Sequence, residues 1–414
     1  MMAKMTLLMT VALGACAAAP TRGSSASGTM SGLDVLVEEG FKSLRGKRVG
    51  VITNSTGVDR RGRSVVDLLG NAPGVTLAAI FTPEHGFTAA SEADRIASDK
   101  IRVAGREIPL YSLYSGGLEG MRPKPGQLQG LDVLIFDIQD MGARFYTYLA
   151  TMAMALEEAK TANVDFMVLD RPNPIRGDVV EGPINDDPTL LRNSIVAYMQ
   201  VPTRHGMTAG EIARFHNATV GHPHLSVVKM RGWTRSMWFD ETGLPWVPPS
   251  PNMPDLAAAT LYPGIANLEY TNLSVGRGTP TPFGWIGAPW LNAEDLARKM
   301  NAAPIEGVEF SAQTYTPAKS VFAGTACPGL RITVTNRDAV RPLQIFAGLA
   351  VALRELHPKE FDLKWVDSRK LIGLRSFQEL YDQGADAATL RRSFDAGAES
   401  FLRAREPFLL YDNR

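Results

Sequence analysis

Cysteine is almost missing from this sequence: 414 residues contain only Cys16 and Cys327. Two thiols cannot build a disulfide framework, so the fold must rest on its core. No His lies near Cys327 in the sequence, and that residue reads as a small buried apolar side chain rather than a nucleophile. Net charge is missing as well, with Lys+Arg and Asp+Glu both at 43. No long Lys/Arg run breaks the balance, so the electrostatic footprint of a nucleic-acid binder is absent. Neither a GxGxxG fingerprint nor a Walker sequence occurs where a nucleotide would need it, and no dinucleotide, nucleoside triphosphate or other cofactor is expected. What remains is a globular composition, 45% apolar and 21% charged. That is enough for a substantial core, and the length suits two domains.

The first residues read as a targeting segment. Met1 to Lys4 carry positive charge, and Met5 to Ala15 form an apolar stretch too short to span a bilayer. The stretch ends in Leu13-Gly14-Ala15-Cys16, which resembles a bacterial lipobox. Small residues before the Cys fit the signal peptidase, and the Cys16 thiol accepts the lipid. Ala17 to Ser31 is rich in Ala, Ser, Gly and Thr and reads as a flexible tether. The expectation is an exported, membrane-anchored protein that faces the periplasm and uses no intrachain disulfide. A plain secretory signal is the alternative.

From Leu33 to about Asp170, strands alternate with helices. RVGVITN (48–54), VTLAAIF (75–81), LDVLIFD (131–137) and DFMVL (165–169) are apolar, β-rich runs. The third is nearly continuous, as a strand covered on both faces should be. Val65 to Leu69 and Tyr146 to Ala162 read as helices between them. This rhythm predicts an α/β fold with a Rossmann-like, doubly wound parallel sheet. The segment WVPPSPNMP (246–254) is dense in proline, which blocks regular structure. A boundary placed there divides the chain into a signal and tether (1–31), a first domain (32–250) and a second (251–414). In the second, helices are expected at 293–301, 342–356 and 388–405, with a strand at 330–335.

Ligands of open α/β sheets sit beyond the carboxyl ends of the strands, so polar residues there are the first candidates. Glu84 and His85 lie in the tight turn TPEHG, where a carboxylate and an imidazole can supply acid–base chemistry. Asp137, Asp140, Arg144 and Tyr146 crowd one strand-to-helix junction. Arg171 and Asn173 sit in a loop frozen by two prolines. His205 precedes a helix whose Thr208 and Glu211 match a capping box, so Glu211 reads as structural. Asn252 lies in the proline-rich junction. Glu269, Asn272 and Arg277 fall in LEYTNLSVGRGT, where flanking glycines let backbone approach a ligand. His222 and His224 form an HxH pair without a third ligand at a recognised spacing, and no metal site is expected.

The ordered motifs TPEHGF, DIQDMGARFYTY, DRPNPIRGDVVEGP, TRHGMTAGE, WVPPSPNMP, YPGIANLEYTNLSVGRGTPTPF and IGAPW resemble the bacterial exo-β-N-acetylmuramidases over nearly the whole chain beyond the tether. The resemblance implies a Rossmann-like N-terminal domain, a smaller α/β C-terminal domain and a cleft between them. It implies removal of terminal N-acetylmuramic acid (MurNAc) from the non-reducing end of peptidoglycan fragments, and it gives Glu84 a catalytic role. Members often carry Glu where this chain has Val275 and Gly284, so neither position offers a carboxyl here.

Glycoside hydrolysis usually needs two carboxyl groups. With Glu84 as the acid, Asp137, Asp140 and Glu269 all stay open as the second. The lactyl carboxylate of MurNAc calls for a cation, and Arg144, Arg171 and Arg277 are the candidates. Tyr146 and His205 are expected to line the sugar subsite. Two other readings compete: a metal-dependent hydrolase built on Glu84, His85, Asp137 and Asp140, and a wall-binding lipoprotein without catalysis.

Overall fold

A computed structural model describes residues 28–413 apart from residue 396; Cys16 and the leader lie outside the described residues. Seven strands build the main sheet: β1 (Arg48–Thr53), β2 (Thr76–Thr82), β3 (Asp99–Val103), β4 (Arg106–Ser112), β5 (Val133–Asp137), β6 (Asp165–Leu169) and β7 (Leu225–Val228). Their order is β3-β4-β2-β1-β5-β6-β7. All neighbours pair parallel except β3, an antiparallel edge on β4.

The side-chain period of a strand explains the two cores. Val133 and Ile135 of β5 join one buried cluster, while Leu134 and Phe136 join the other. Successive residues point to opposite faces, so a strand buried on both must be apolar throughout. The first cluster is small and closed by the helices Gly32–Glu38 and Val65–Gly70. The second runs under the helix Tyr148–Thr161 and continues without a break into the C-terminal half, where it takes in Leu296, Phe346 and Phe377.

That second half carries a three-stranded antiparallel sheet in the order β8 (Trp285–Gly287), β10 (Cys327–Val334), β9 (Val308–Tyr315). The helix Ala293–Ala302 packs on it, and the helices Leu256–Ile265 and Pro342–Leu356 pack on each other so closely that a Cβ on Gly264 would lie 1.9 Å from the Pro342 carbonyl oxygen. Cys327, the first residue of β10, is fully buried as a free thiol. The helix expected at 388–405 is two helices, Ala387–Asp395 and Ala398–Arg405; Gly397, at φ 94°, starts the second in a conformation that ends regular helix.

The last residues return to the first half. Arg405 donates to the Gly206 carbonyl (2.5 Å), and the Tyr411 hydroxyl donates to Asp170 (2.6 Å). Asp170 also accepts from Thr208 Oγ1 (2.7 Å) and the Gly210 amide (2.8 Å). Burial raises its pKa to about 6 in spite of these donors.

Candidate active site

Beyond the carboxyl ends of β2, β4 and β5, the two halves enclose a cleft of about 490 Å³. A small-molecule site typically occupies roughly 300–1,000 Å³. Glu84 enters from the turn after β2. Pro83 to Gly86 closes with a Gly86 N–H to Pro83 carbonyl bond (3.1 Å), and His85 takes φ 68° to make the turn. His is among the few residues that tolerate this region. It is held there by Ser91, whose amide donates to the His85 carbonyl (3.1 Å) and whose carbonyl lies 2.7 Å from His85 Nδ1.

Both Glu84 oxygens have a hydroxyl donor. Tyr114, just past β4, donates to Oε1 at 2.8 Å, and Thr147, at the start of the helix after β5, donates to Oε2 at 2.5 Å. Burial and the neighbouring Glu84 both push the Tyr114 phenol upward, so it keeps its proton and remains a donor. Two donated bonds fix the carboxyl plane in the cleft.

The floor is aromatic. Tyr262 meets Phe145, Tyr146 and Phe283 edge to face at centroid distances of 5.3, 5.8 and 4.8 Å. Such rings offer apolar faces for the C–H surface of a sugar and polar edges for its hydroxyls. The Tyr146 hydroxyl is buried without a well-formed hydrogen bond. Across the cleft, Arg277 donates through Nε to Glu269 and lies 5.7 Å from the Phe283 ring centroid. Burial would lower the Arg277 pKa, but the charge of Glu269 outweighs it and the guanidinium stays protonated. At the rim, Glu92 accepts from Lys319 Nζ (2.7 Å) and Asn252 Nδ2 (3.1 Å). The Lys319 hydrogen bond, opposed by burial and helped by Asn252, lowers the Glu92 pKa.

The cleft therefore brings together six of the residues singled out in the sequence: Glu84, His85, Tyr146, Asn252, Glu269 and Arg277. Seven others lie elsewhere, each for a physical reason. Asp137 is fully buried and bonded to Arg171 Nε at 2.6 Å, while Arg171 also donates to the Val58 carbonyl (3.0 Å). This pair fills the crevice between β1 and β5, where the strand order reverses. Asp140 caps the Gly142 amide (2.7 Å) and lies 3.4 Å from His205 Nε2, both side chains being buried. Arg144 is fully buried; it donates to the carbonyls of Pro183 (3.1 Å) and Leu371 (2.5 Å), and burial lowers its pKa to about 10. Asn173 bonds the Met207 carbonyl and the Ile175 amide, and Asn272 ties the Glu360 carbonyl to the Asp362 amide. Among the described residues no group of three or more His, Cys, Asp and Glu side chains is placed to hold a metal ion; of the four named for a metal-dependent hydrolase, Glu84 and His85 line the cleft and Asp137 and Asp140 do not.

Glu92, Asp94, Tyr114, Thr147 and Lys319 line the cleft and were not singled out in the sequence. Thr147 adjoins Tyr146 and lay within reach of the strand-end rule, whereas Tyr114 follows β4, a strand the sequence did not mark. The other three sit in loops with no pattern to mark them.

Two family models match the chain in tandem: exo-β-N-acetylmuramidase NamZ, N-terminal, over residues 49–257, and the corresponding C-terminal model over residues 260–411. The chain is 39% identical over 384 residues to the peptidoglycan β-N-acetylmuramidase NamZ of Bacillus subtilis (strain 168), covering 92% of this chain and 91% of that one. It is also similar to crystal structures of two DUF1343 family proteins from Bacteroides fragilis. One has a TM-score of 0.83 at 34% identity over 93% of this chain and 99% of the other. The second has a TM-score of 0.73 at 26% identity over 94% of this chain and all of the other. With both halves matched in order and the relative aligned over most of its length, the chain belongs to the NamZ family of exo-β-N-acetylmuramidases.

Proposed function

We propose that this protein is an exo-acting β-N-acetylmuramidase, a glycoside hydrolase that releases MurNAc from the non-reducing end of peptidoglycan fragments, with Glu84 as the carboxyl that moves the proton. The observation that carries the reading is Glu84 itself: a half-buried carboxylate held by two hydroxyls over an aromatic floor, in a chain of this family. In the free protein Glu84 accepts two hydrogen bonds. To serve as acid it binds a proton, and one of the two hydroxyls turns away. Proton delivery to the leaving oxygen then follows the usual two-carboxyl scheme.

Of the three candidates for the second carboxyl, Glu269 is the one that lines the cleft. It is ion-paired with Arg277 and placed to stabilise positive charge that develops on the sugar ring. Tyr146 and Tyr262 are assigned to the sugar face, with Asn252 at the rim.

The lipobox supports a further reading: Cys16 carries a lipid that tethers the enzyme to the membrane, facing the periplasm. Labelled palmitate incorporated by the wild type and lost in Cys16→Ser is the expected result.

The activity is tested with 4-nitrophenyl β-MurNAc, and the role of Glu84 with MurNAc-β-1,4-GlcNAc, whose sugar leaving group must take up a proton as 4-nitrophenolate need not. Glu84→Gln keeps the size and both hydrogen-bond partners but cannot move a proton. It should lower kcat by roughly 10²- to 10⁴-fold with an unchanged melting temperature. Wild-type turnover retained in the variant would remove Glu84 from the chemistry.

A further inference from the structure

The substrate carries one charge near the scissile bond, the lactyl carboxylate on O3 of MurNAc, and the cleft must discriminate it from the plain N-acetylglucosamine (GlcNAc) ring. Its lining is acidic: Glu84, Glu92, Asp94 and Glu269 face two permanent cations, Arg277 and Lys319. An entering anion meets net repulsion unless one cation is freed for it.

The two cations differ in how firmly they are held. Arg277 is bound through Nε to Glu269, packed against Phe283, and 30% exposed. Its partner sits within the cleft wall. Lys319 is 54% exposed, and its partner Glu92 is 36% exposed. An ion pair that open to solvent contributes little and exchanges readily. Lysine adds a flexible stem and three donors, so its ammonium can follow a new carboxylate without rebuilding the loop.

The location of Lys319 is fixed even though its side chain is loose. It belongs to a compact loop between β9 and β10, closed by the Gly324 amide on the Pro317 carbonyl (2.8 Å) and the Ala323 amide on the Ser320 carbonyl (3.2 Å). The backbone of this loop lies directly on the Arg277 loop: a Cβ at Gly278, whose φ is +75°, would come within 2.6 Å of the Lys319 nitrogen. Glycine at 278 lets the two loops meet and sets Lys319 at the mouth beside Arg277. Glu92 reaches it from the opposite half of the molecule.

We infer that Lys319 is the residue that reads the lactyl carboxylate, and that Glu92 occupies the place of that carboxylate in the free protein. Substrate binding exchanges one carboxylate for another on the same ammonium, and the released Glu92 keeps Asn252 as a partner. The inference rests on the proposed activity for the identity of the sugar, and goes beyond it in naming the specificity residue. Lys319 positions and selects; it does not touch the reacting atoms.

The test is calorimetric titration of the whole protein with free MurNAc and, separately, free GlcNAc, so that binding is read without turnover. Wild type should bind MurNAc more tightly than GlcNAc. Lys319→Met should weaken MurNAc by roughly 10- to 100-fold, as expected for loss of a charged hydrogen bond, and leave GlcNAc unchanged. Lys319→Arg should restore most of the difference. Glu92→Gln should tighten MurNAc alone, because the resident competitor has lost its charge. Equal weakening of both sugars in Lys319→Met, no change in either, or weaker MurNAc binding in Glu92→Gln would each overturn the inference. Failure of wild type to cleave 4-nitrophenyl β-MurNAc would instead strike the proposed activity, and the two failures are read in separate experiments.

Discussion

The ends of β2 and β5 present the same chemistry and put it to opposite uses. Each strand delivers a carboxylate beyond its last residue or at it, Glu84 from one and Asp137 from the other, and β1 alone separates them in the sheet. Glu84 meets two neutral hydroxyls and an open cleft. Asp137 meets a guanidinium and no solvent at all. A carboxylate already neutralised and dry can do nothing to a substrate, whereas one held by hydroxyls in an open cleft stays within reach of one. The difference shows that what a carboxylate can do here is decided by its partner, and the partner is supplied by a distant stretch of chain.

Breaking the inert side of this comparison should produce the largest effect. Arg171→Met leaves Asp137 buried with no cation, and loss of one partner of a buried pair costs about 3–5 kcal/mol. Burial raises the Asp137 pKa and Arg171 opposes that rise, so without Arg171 the ionised form is harder still to keep. The stability deficit should therefore be larger at pH 8 than at pH 5, where the carboxyl can take up a proton. Urea unfolding at the two pH values checks this. A variant of wild-type stability with its activity gone would mean instead that the pair belongs to the catalytic machinery.

A second buried carboxylate sharpens the same contrast. Glu181 accepts from the Leu343 amide (3.0 Å) at the start of the helix Pro342–Leu356 and so joins the two halves, but among the described residues its other oxygen has no partner. Burial raises its pKa to about 7, against the pull of Arg204. The unfolded value is lower, so the neutral carboxyl stabilises the fold fully below about pH 4.5, and that contribution is lost as the pH rises through about 7. Glu181→Gln keeps the acceptor and removes the titration. It should gain about 3 kcal/mol over wild type at pH 8 and almost nothing at pH 4.5. Equal stabilities at both pH values would show that Glu181 stays ionised.

Much of the fold was legible because burial on two faces writes itself as an apolar run. β1, β5 and β6 could be read within a few residues of their ends for that reason. β7 and the β3–β4 hairpin could not, since edge strands such as Leu225–Val228 are partly exposed and carry mixed residues. The helix Leu256–Ile265 was hidden by Pro263 and by the proline-rich segment before it. At the site, the strand-end rule found Glu84, His85 and Tyr146, and the Gly-rich loop yielded Glu269 and Arg277. The same rule equally selected Asp137, Arg144 and Arg171, because pairing across 34 residues or more leaves no local trace. Lys319 and Glu92 are 227 residues apart and meet only through the fold.

The smallest effect should come from the active side of the comparison, at Tyr114. Tyr114→Phe removes one of the two donors to Glu84 and leaves Thr147 in place. A hydrogen bond to a charged group contributes about 1.5–3 kcal/mol, and a solvent-accessible cleft lets water replace part of it, so kcat/KM should fall roughly 5- to 30-fold. The same substitution made in Glu84→Gln should cost little more, because a tyrosine that acts through Glu84 is silent once Glu84 no longer moves the proton. A merely structural tyrosine would lower activity equally in both backgrounds. The double-mutant cycle on MurNAc-β-1,4-GlcNAc separates the two, and it also bears on the role of Glu84: a partner of Tyr114 gives a coupled cycle, while a bystander gives an additive one.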